Sequence, residues 1–355
     1  RETLLGSDKL TWEKSYKSNI GLEMMLWGKL NLTLDYYWER RKDILIQRSS
    51  LPSMAGFDAS IYANMGEMDN KGVDANLEYQ TRIGNKVGLR LFGNLTYSKN
   101  KIVFRDEPAM QYAYQKSEGT RYGEFYGYIA EGYFQSEEEI KKSPRQMREL
   151  APGDIKYKDL NDDGVIDAND QCYLGKSWFP SWSYGMGFNI NYHNFDLALF
   201  FQGVSDVSIM ANGGSIDTGN GDWGASGVGI VPFTGMGLNP SNVITKALDR
   251  WTADNPRADA WYPRMTANAT TNDNNYVNST HWLKDGSYLR LKQASLGYTL
   301  ENKKLMDKGI EYLYFYLSGQ NLLTFSKFKL WDPELGSNGA KYPLSRMVTL
   351  GMRVS

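Results

Sequence analysis

One cysteine, two histidines and no long apolar run narrow the possibilities before any motif is read. Cys172 stands alone, so the chain can form no internal disulfide. With only His193 and His281 present, a histidine-rich zinc site or a histidine-based catalytic pair is not expected, and His193 reads as a turn residue. No stretch of about 18 consecutive apolar residues occurs, which excludes a bilayer-spanning helix. Charge of neither sign predominates. The 40 Lys and Arg balance 41 Asp and Glu to a formal net charge of -1, with no basic stripe to suggest nucleic acid as a partner. Arg1 follows neither a methionine nor an apolar leader, so a processed or partial chain is expected, with any targeting signal elsewhere. The mean hydropathy of -0.53 looks soluble, but a barrel that alternates lipid-facing with lumen-facing residues has a weak hydropathy signal by construction.

What is present is alternation. Trp182, Tyr184, Met186, Phe188, Ile190 and Tyr192 alternate with Ser183, Gly185, Gly187, Asn189 and Asn191, a period of two that defines a strand with one apolar face. After a two-residue turn at His193 and Asn194, the residues Phe195, Leu197, Leu199 and Phe201 resume that face. Aromatic residues near the strand ends suit a membrane interface, although a soluble sandwich with one face on a core would alternate in the same way.

The rest of the chain extends the pattern. Strands are expected over residues 10–26 and 29–46, joined at Trp27 and Gly28, then a polar loop from Gln47 to about Lys71. Strands near 73–80 and 87–98 follow, with Gly93 marking a bulge or a close backbone approach. In 288–300 the apolar parity changes from Leu289 and Leu291 to Ala294, Leu296, Tyr298 and Leu300, which predicts a bulge near Lys292 and Gln293. Strands from Tyr312 to Thr324 and over 347–354 close the series. Connections alternate short and long, the long ones covering about 99–181 and 204–286, and the second carries one helical piece near Val243 to Trp251. Short turns at one end and long loops at the other are the layout of an outer-membrane barrel. Parity then assigns 123–134 to a folded outer loop. About nine membrane strands remain, an odd number that cannot close a bacterial single-chain barrel. The expected fold is all-β, a fragment of a transmembrane antiparallel β-barrel with long extracellular loops, occupying residues 1–355.

One loop carries chemistry. Asp159, Asn161, Asp163, Gly164, Val165, Asp167 and Asp170 hold positions 1, 3, 5, 6, 7, 9 and 12 of a twelve-residue calcium-loop spacing, with Ile166 at position 8 as an apolar anchor. The candidate ligands for a structural Ca2+ are Asp159, Asn161, Asp163, the Val165 carbonyl, Asp167 and Asp170. Position 12 is Asp rather than the longer Glu, and no helix pair flanks the loop. An Asx-rich turn held by its own hydrogen bonds is the competing reading.

Several stretches, in order, resemble the carboxy-terminal part of the SusC/RagA family of TonB-dependent outer-membrane transporters. They include NMGEMDNKGVDANLEY from Asn64, GDIKYKDLNDDGVIDANDQ from Gly153, SYLRLKQASLGYTL from Ser287, YLSGQNLLTF from Tyr316 and YPLSRMVTLGMRVS from Tyr342. The resemblance implies a plugged barrel of about 22 strands, located in the cell outer membrane and surrounded by its lipid. It further implies a SusD-like surface lipoprotein, coupling to the TonB complex, and active import of a bulky oligosaccharide or peptide. The plug and the TonB-contacting segment are not among these residues, and family members end on an aromatic residue where this chain stops at Ser355.

Tyr112, Tyr114, Trp223 and Trp261 are candidate substrate contacts in the long loops, where aromatic residues also pack on one another. A calcium-dependent carbohydrate-binding or adhesive β-protein without transport activity is the alternative. It leaves the short and long alternation unexplained. No carboxylate pair stands out as a glycosidase would require, so no catalytic residue is assigned and an enzyme is not expected.

Overall fold

The computed structural model describes residues 4–5, 10–50, 60–84, 86–212, 244–265, 274–307, 309–337, 339 and 342–355. Its strands in chain order are β1 (Leu4–Leu5), β2 (Lys14–Leu26), β3 (Leu30–Gln47), β4 (Ser60–Ile83), β5 (Val87–Phe104), β6 (Glu124–Gly127), β7 (Ala130–Tyr133) and β8 (Ile155–Tyr157). There follow β9 (Cys172–Ser177), β10 (Trp182–Tyr192), β11 (Phe195–Ser205), β12 (Ser208–Met210), β13 (Leu283–Asp285), β14 (Tyr288–Leu300), β15 (Leu313–Ser326) and β16 (Met347–Val354).

Nine of these strands form one open antiparallel wall in the order β16-β15-β14-β11-β10-β5-β4-β3-β2, with β1 paired to β4 outside that path. Every pair along the wall is antiparallel. The tight turns fall at one end. Trp27 and Gly28 take φ of 53 and 61, both left-handed, in the three-residue turn between the paired Leu26 and Leu30, and His193 takes 52. The long connections all leave from the opposite end.

Register places side chains in lateral rows across the wall. Met24, Leu32, Leu77, Met186, Phe201, Leu291 and Leu323 lie side by side, with Gly93 between Leu77 and Met186. Further toward the tight turns, Leu197, Leu296, Leu317 and Leu350 form another such row. Two aromatic rows bracket this band: Tyr36, Tyr97 and Trp182 near the long loops, and Tyr192, Phe195, Tyr298 and Phe315 near the tight turns. Rings touch within them, Tyr97 to Trp182 at 4.4 Å and Phe195 to Tyr298 at 4.7 Å between centroids. From Trp182 to Tyr192 the 11-residue strand β10 takes ten steps. At ~3.4 Å per step and a tilt of ~45° these rise ~24 Å, matching the ~25 Å apolar band of outer-membrane barrels. Many of these residues are exposed, Leu296 at 49 % and Leu350 at 81 % among them, as a face turned to lipid requires.

The opposite face is polar and interlocked. Glu78 and Arg90 pair at 2.7 Å, Thr96 donates to Asp74 at 2.7 Å, and Tyr314 donates to Asp196 at 3.0 Å. Phe92 and Phe200 stack across Gly187, their centroids 6.1 Å apart. A Cβ at Gly187 would run into the Phe92 ring and the Leu199 carbonyl. The wall thus separates an apolar exterior from a polar interior, as a water-filled or plugged barrel does.

The bulge predicted near Lys292 is present, as a register shift between Leu291 and Gln293. Gly93 keeps its register, and a Cβ there would meet the Gly185 carbonyl at 3.4 Å, an ordinary contact, so the position is neither a bulge nor a forced close approach. Two further expectations are corrected. Strand β2 begins at Lys14, not Leu10, and the loop expected up to Lys71 ends earlier because β4 already begins at Ser60. Over that extension the face that carries Ile61, Ala63 and Met65 turns charged at Glu67, Asp69 and Lys71, so no continuous apolar row marks the strand. Cross-strand charges hold it instead, with Arg40 to Glu67 at 3.1 Å and to Asp69 at 3.5 Å.

Between β5 and β10, and again between β11 and β14, the chain builds an outer body on top of the wall. Residues 123–134, assigned by parity to this loop, supply β6 and β7, which pair with β9 and β8; β12 pairs with β13. The expected helical piece is the short 3-10 turn Thr245–Leu248. The apolar core of the described residues lies here rather than in the wall. Phe125, Tyr128, Tyr133, Ile155, Tyr157, Ile166, Trp251, Tyr262, Tyr276 and Trp282 are buried together.

Candidate functional site

The acidic loop is built into that core. Ile166, its apolar anchor, is 1 % exposed, and two backbone bonds tie the loop to the segment before it, Arg145 N–H to the Gly164 carbonyl at 3.0 Å and Ile166 N–H to the Arg145 carbonyl at 2.8 Å. Asp162 and Gly164 both take positive φ, 58 and 83, which turns the chain sharply at position 6. The Asp159 carboxylate accepts N–H groups of Asp162 at 2.7 Å and Gly164 at 2.8 Å, and Asp163 accepts from Val165 at 2.8 Å. Asp167 accepts from Asn169 at 2.7 Å. The buried Asp170 accepts from Leu160 at 2.8 Å and Asp167 at 2.9 Å, closing the loop end to end.

These bonds leave each carboxylate oxygen a second lone pair, so the donors keep the all-oxygen chemistry of a hard-cation loop. Among the described residues, no group of three or more His, Cys, Asp or Glu side chains converges on a common point. The residues fit calcium in kind and order. The loop geometry is already closed by its own Asx turns.

Sequence gave four aromatic candidates, and the structure brings two together. Tyr112 and Tyr114 stack at 5.2 Å with an interplanar angle of 4° and lie against the acidic loop. The Asn161 amide donates to the Tyr112 hydroxyl at 3.2 Å, and the Tyr114 hydroxyl donates to the Asn169 carbonyl at 2.7 Å. Burial, with the Asp170 carboxylate beside it, pushes the Tyr114 hydroxyl up to about 12, so it remains a donor at neutral pH. Trp261 is elsewhere, packed edge-on against Tyr262 at 4.5 Å and Trp282 at 5.4 Å. Trp223 lies outside the described residues.

Sequence reasoning did not single out the buried polar hub that joins the two outer segments. Asp154, whose side chain is 1 % exposed, pairs with Arg264 at 2.7 Å and accepts from Asn275 at 2.8 Å. The Asn274 amide donates to the Ile155 carbonyl at 3.0 Å, and the Tyr157 hydroxyl donates to the Asn274 carbonyl at 2.6 Å. Buried polar networks of this kind favour one arrangement of the segments they join. Asn274 and Asn275 sit more than a hundred residues from their partners, so no local pattern could have marked them.

His281 sits at the edge of this core, its Nε2 3.2 Å from the Trp261 carbonyl and 3.3 Å from the Tyr133 hydroxyl. The carbonyl can only accept, which places the proton on Nε2. Burial, and then the charge of Lys284, hold the imidazole down at about 3. The folded state therefore keeps this ring neutral while the unfolded chain protonates it near 6.5. Its contribution is complete above pH 6.5 and is lost progressively as the pH falls toward 3. Protection of outer-body amides, taken from the exchange rate relative to the intrinsic rate at each pH, is expected to fall between pH 6.5 and 4.5, and His281→Gln to flatten that dependence. An equal pH dependence in the variant would refute the assignment.

The fold defines a class: a segment of an outer-membrane β-barrel wall, apolar outside, polar inside and topped by a folded loop body. The family described as TonB dependent receptor-like, beta-barrel matches residues 2–322, and the chain belongs to it. It is 28 % identical over 99 % of its length to TonB-dependent receptor P3 of Formosa agariphila, covering 35 % of that protein. It is 23 % identical over 98 % of its length to TonB-dependent receptor SusC of Bacteroides thetaiotaomicron, covering 32 % of it. The fold also matches the solved RagAB peptide transporter with a TM-score of 0.73 at 23 % identity, over 99 % of this chain and 36 % of that one. The SusC and RagA resemblance and the all-β barrel fold are thus borne out, and the protein is one of the outer membrane. The chain spans about a third of the length of the curated relatives it matches. Its family is one of receptors rather than enzymes.

Proposed function

We propose that this chain forms wall and outer surface of a TonB-dependent importer that carries a bulky nutrient, an oligosaccharide or a peptide, across the outer membrane. The observation that carries this reading is the union of a lipid-facing wall with a packed outer body built from its two longest connections. A wall alone would serve a passive pore. The body offers aromatic and polar surface at the outer mouth, where a substrate and a SusD-like surface lipoprotein would dock. SusC and RagAB, the relatives named above, support the same reading. Among the described residues the two edge strands β2 and β16 each have one wall neighbour, and unpaired edges are not tolerated in hydrocarbon. Further strands, a plug and the TonB contact would come from other parts of the protein. A soluble calcium-dependent adhesin would leave the apolar band without a purpose.

The test is purification of the full-length protein from outer membranes, paired with nutrient uptake in cells lacking it. Copurification of a lipoprotein and loss of uptake of one class of oligosaccharide or peptide are expected. Outer-membrane protein that captures no lipoprotein, in cells whose uptake is unchanged, would overturn the reading.

Calcium is part of this proposal, as a structural ion in the loop of Asp159, Asn161, Asp163, Val165, Asp167 and Asp170. Addition of calcium is expected to slow proteolysis within residues 158–171, chelation to restore it, and Asp163→Ala to remove the difference. Calcium-independent cleavage of the native protein would leave the Asx turns as the whole explanation of the loop.

A further inference from the structure

A cavity of about 1050 Å³ opens where β13 and the segment after β15 meet the outer body. Among the described residues its lining gathers four lysines, Lys246, Lys284, Lys327 and Lys329, against one carboxylate, Asp285, with the indole of Trp261 forming part of the wall. The lysines come from three separate segments, so no single charged stretch of sequence accounts for their meeting. Like charges brought together lower stability unless something of opposite sign joins them.

The excess is not cancelled in place. Lys246 pairs with Asp249 at 2.7 Å, but Asp249 also binds Arg257. Lys327 only approaches Asp285, at 4.0 Å. Lys284 is half-buried, donates to the His281 carbonyl at 2.6 Å, lies 5.2 Å over the Trp261 ring, and has no carboxylate partner among the described residues. Burial, and then the neighbouring Lys246, lower this ammonium to about 8. A concave site of one sign with low-dielectric walls focuses its field and draws in counter-ions. Lysines supply compact, rotatable point charges rather than the fixed fork of arginine, which suits anionic groups that vary in position along a flexible ligand. The flat indole adds an apolar surface of the kind a sugar ring covers with its C–H face.

We propose that this cavity is a subsite for the anionic groups, carboxylate or sulfate, of an acidic oligosaccharide, held by Lys246, Lys284, Lys327 and Lys329 beside Trp261. The inference rests on the import reading and narrows its substrate class.

The experiment is calorimetric titration of the full-length protein in detergent. The probes are a short oligouronate, a sulfated oligosaccharide, an uncharged oligosaccharide of equal length and a polyglutamate peptide. At least one acidic sugar should bind more tightly than the uncharged one and the peptide, with affinity falling steeply as salt rises. Lys327→Gln with Lys329→Gln, both at exposed positions, should weaken that binding about tenfold, a loss near 1.4 kcal/mol. Lys284→Met, which keeps the stem and removes the charge, should act in the same direction. Equal affinity for charged and uncharged sugars, tighter binding of the peptide, or an unchanged double variant would each overturn the proposal. Loss of outer-membrane fractionation or of lipoprotein capture in the native protein would instead count against the import reading, so the two failures can be told apart.

Discussion

Leu199→Arg is expected to destabilise the membrane-inserted protein by about 2–4 kcal/mol, whereas Ala198→Arg, one residue earlier on the same strand, should cost less than about 1 kcal/mol. The contrast follows from register. Leu199 lies between Phe188 and Ala294 in a row inside the apolar band, bracketed above by the Trp182 row and below by the Tyr192 row. A guanidinium there meets hydrocarbon. Ala198 lies between Asn189 and Ser295 on the interior face, where small polar neighbours leave room for a long side chain that can reach water. Denaturant-driven unfolding of the full-length protein in phosphatidylcholine vesicles measures both. Equal costs would mean that the two faces are wrongly assigned, and the whole reading of the wall would fail with them.

That prediction uses the part of the structure most legible in sequence. A period of two survives wherever one face is apolar, so β10, β11 and β14 could be traced residue by residue, and the parity change after Leu291 gave the bulge away. The first part of β4 could not be found in this way, since Ile61, Ala63 and Met65 share their face with Glu67, Asp69 and Lys71 and the apolar row breaks off. Charge pairing, not hydrophobic pattern, sustains it there. The acidic loop was legible as a spacing, and Ile166 as its inward anchor, because both depend on neighbours in the chain. Its partnership with Tyr112 and Tyr114 was not, because about fifty residues separate them. The same limit hid the Asp154 hub and the lysine cavity, each assembled from distant segments.

The pair that fixes the loop after β15 was equally invisible, and its disruption should be costly. Arg290 projects from β14 on the polar face, its side chain 2 % exposed, and reaches Asp332 at 2.6 Å and Glu334 at 3.4 Å. Its position over the Tyr288 ring, 5.3 Å from the centroid, completes the enclosure. Asp332→Ala would leave a buried guanidinium with only the more exposed Glu334 as counter-charge, a change expected to cost about 3 kcal/mol and at most about 5. Glu334→Gln removes an exposed partner and should cost less than about 1 kcal/mol. The double change Arg290→Met with Asp332→Asn removes both charges and should recover most of the loss, since the penalty lies in the orphaned cation rather than in a missing attraction. Hydrogen exchange at Phe328 and Leu335, read beside overall unfolding, separates a freed loop from a weakened wall. If Asp332→Ala and Glu334→Gln prove equally mild, Arg290 is solvated in the native protein, and the segment at 327–337 is not anchored to the barrel wall through this pair.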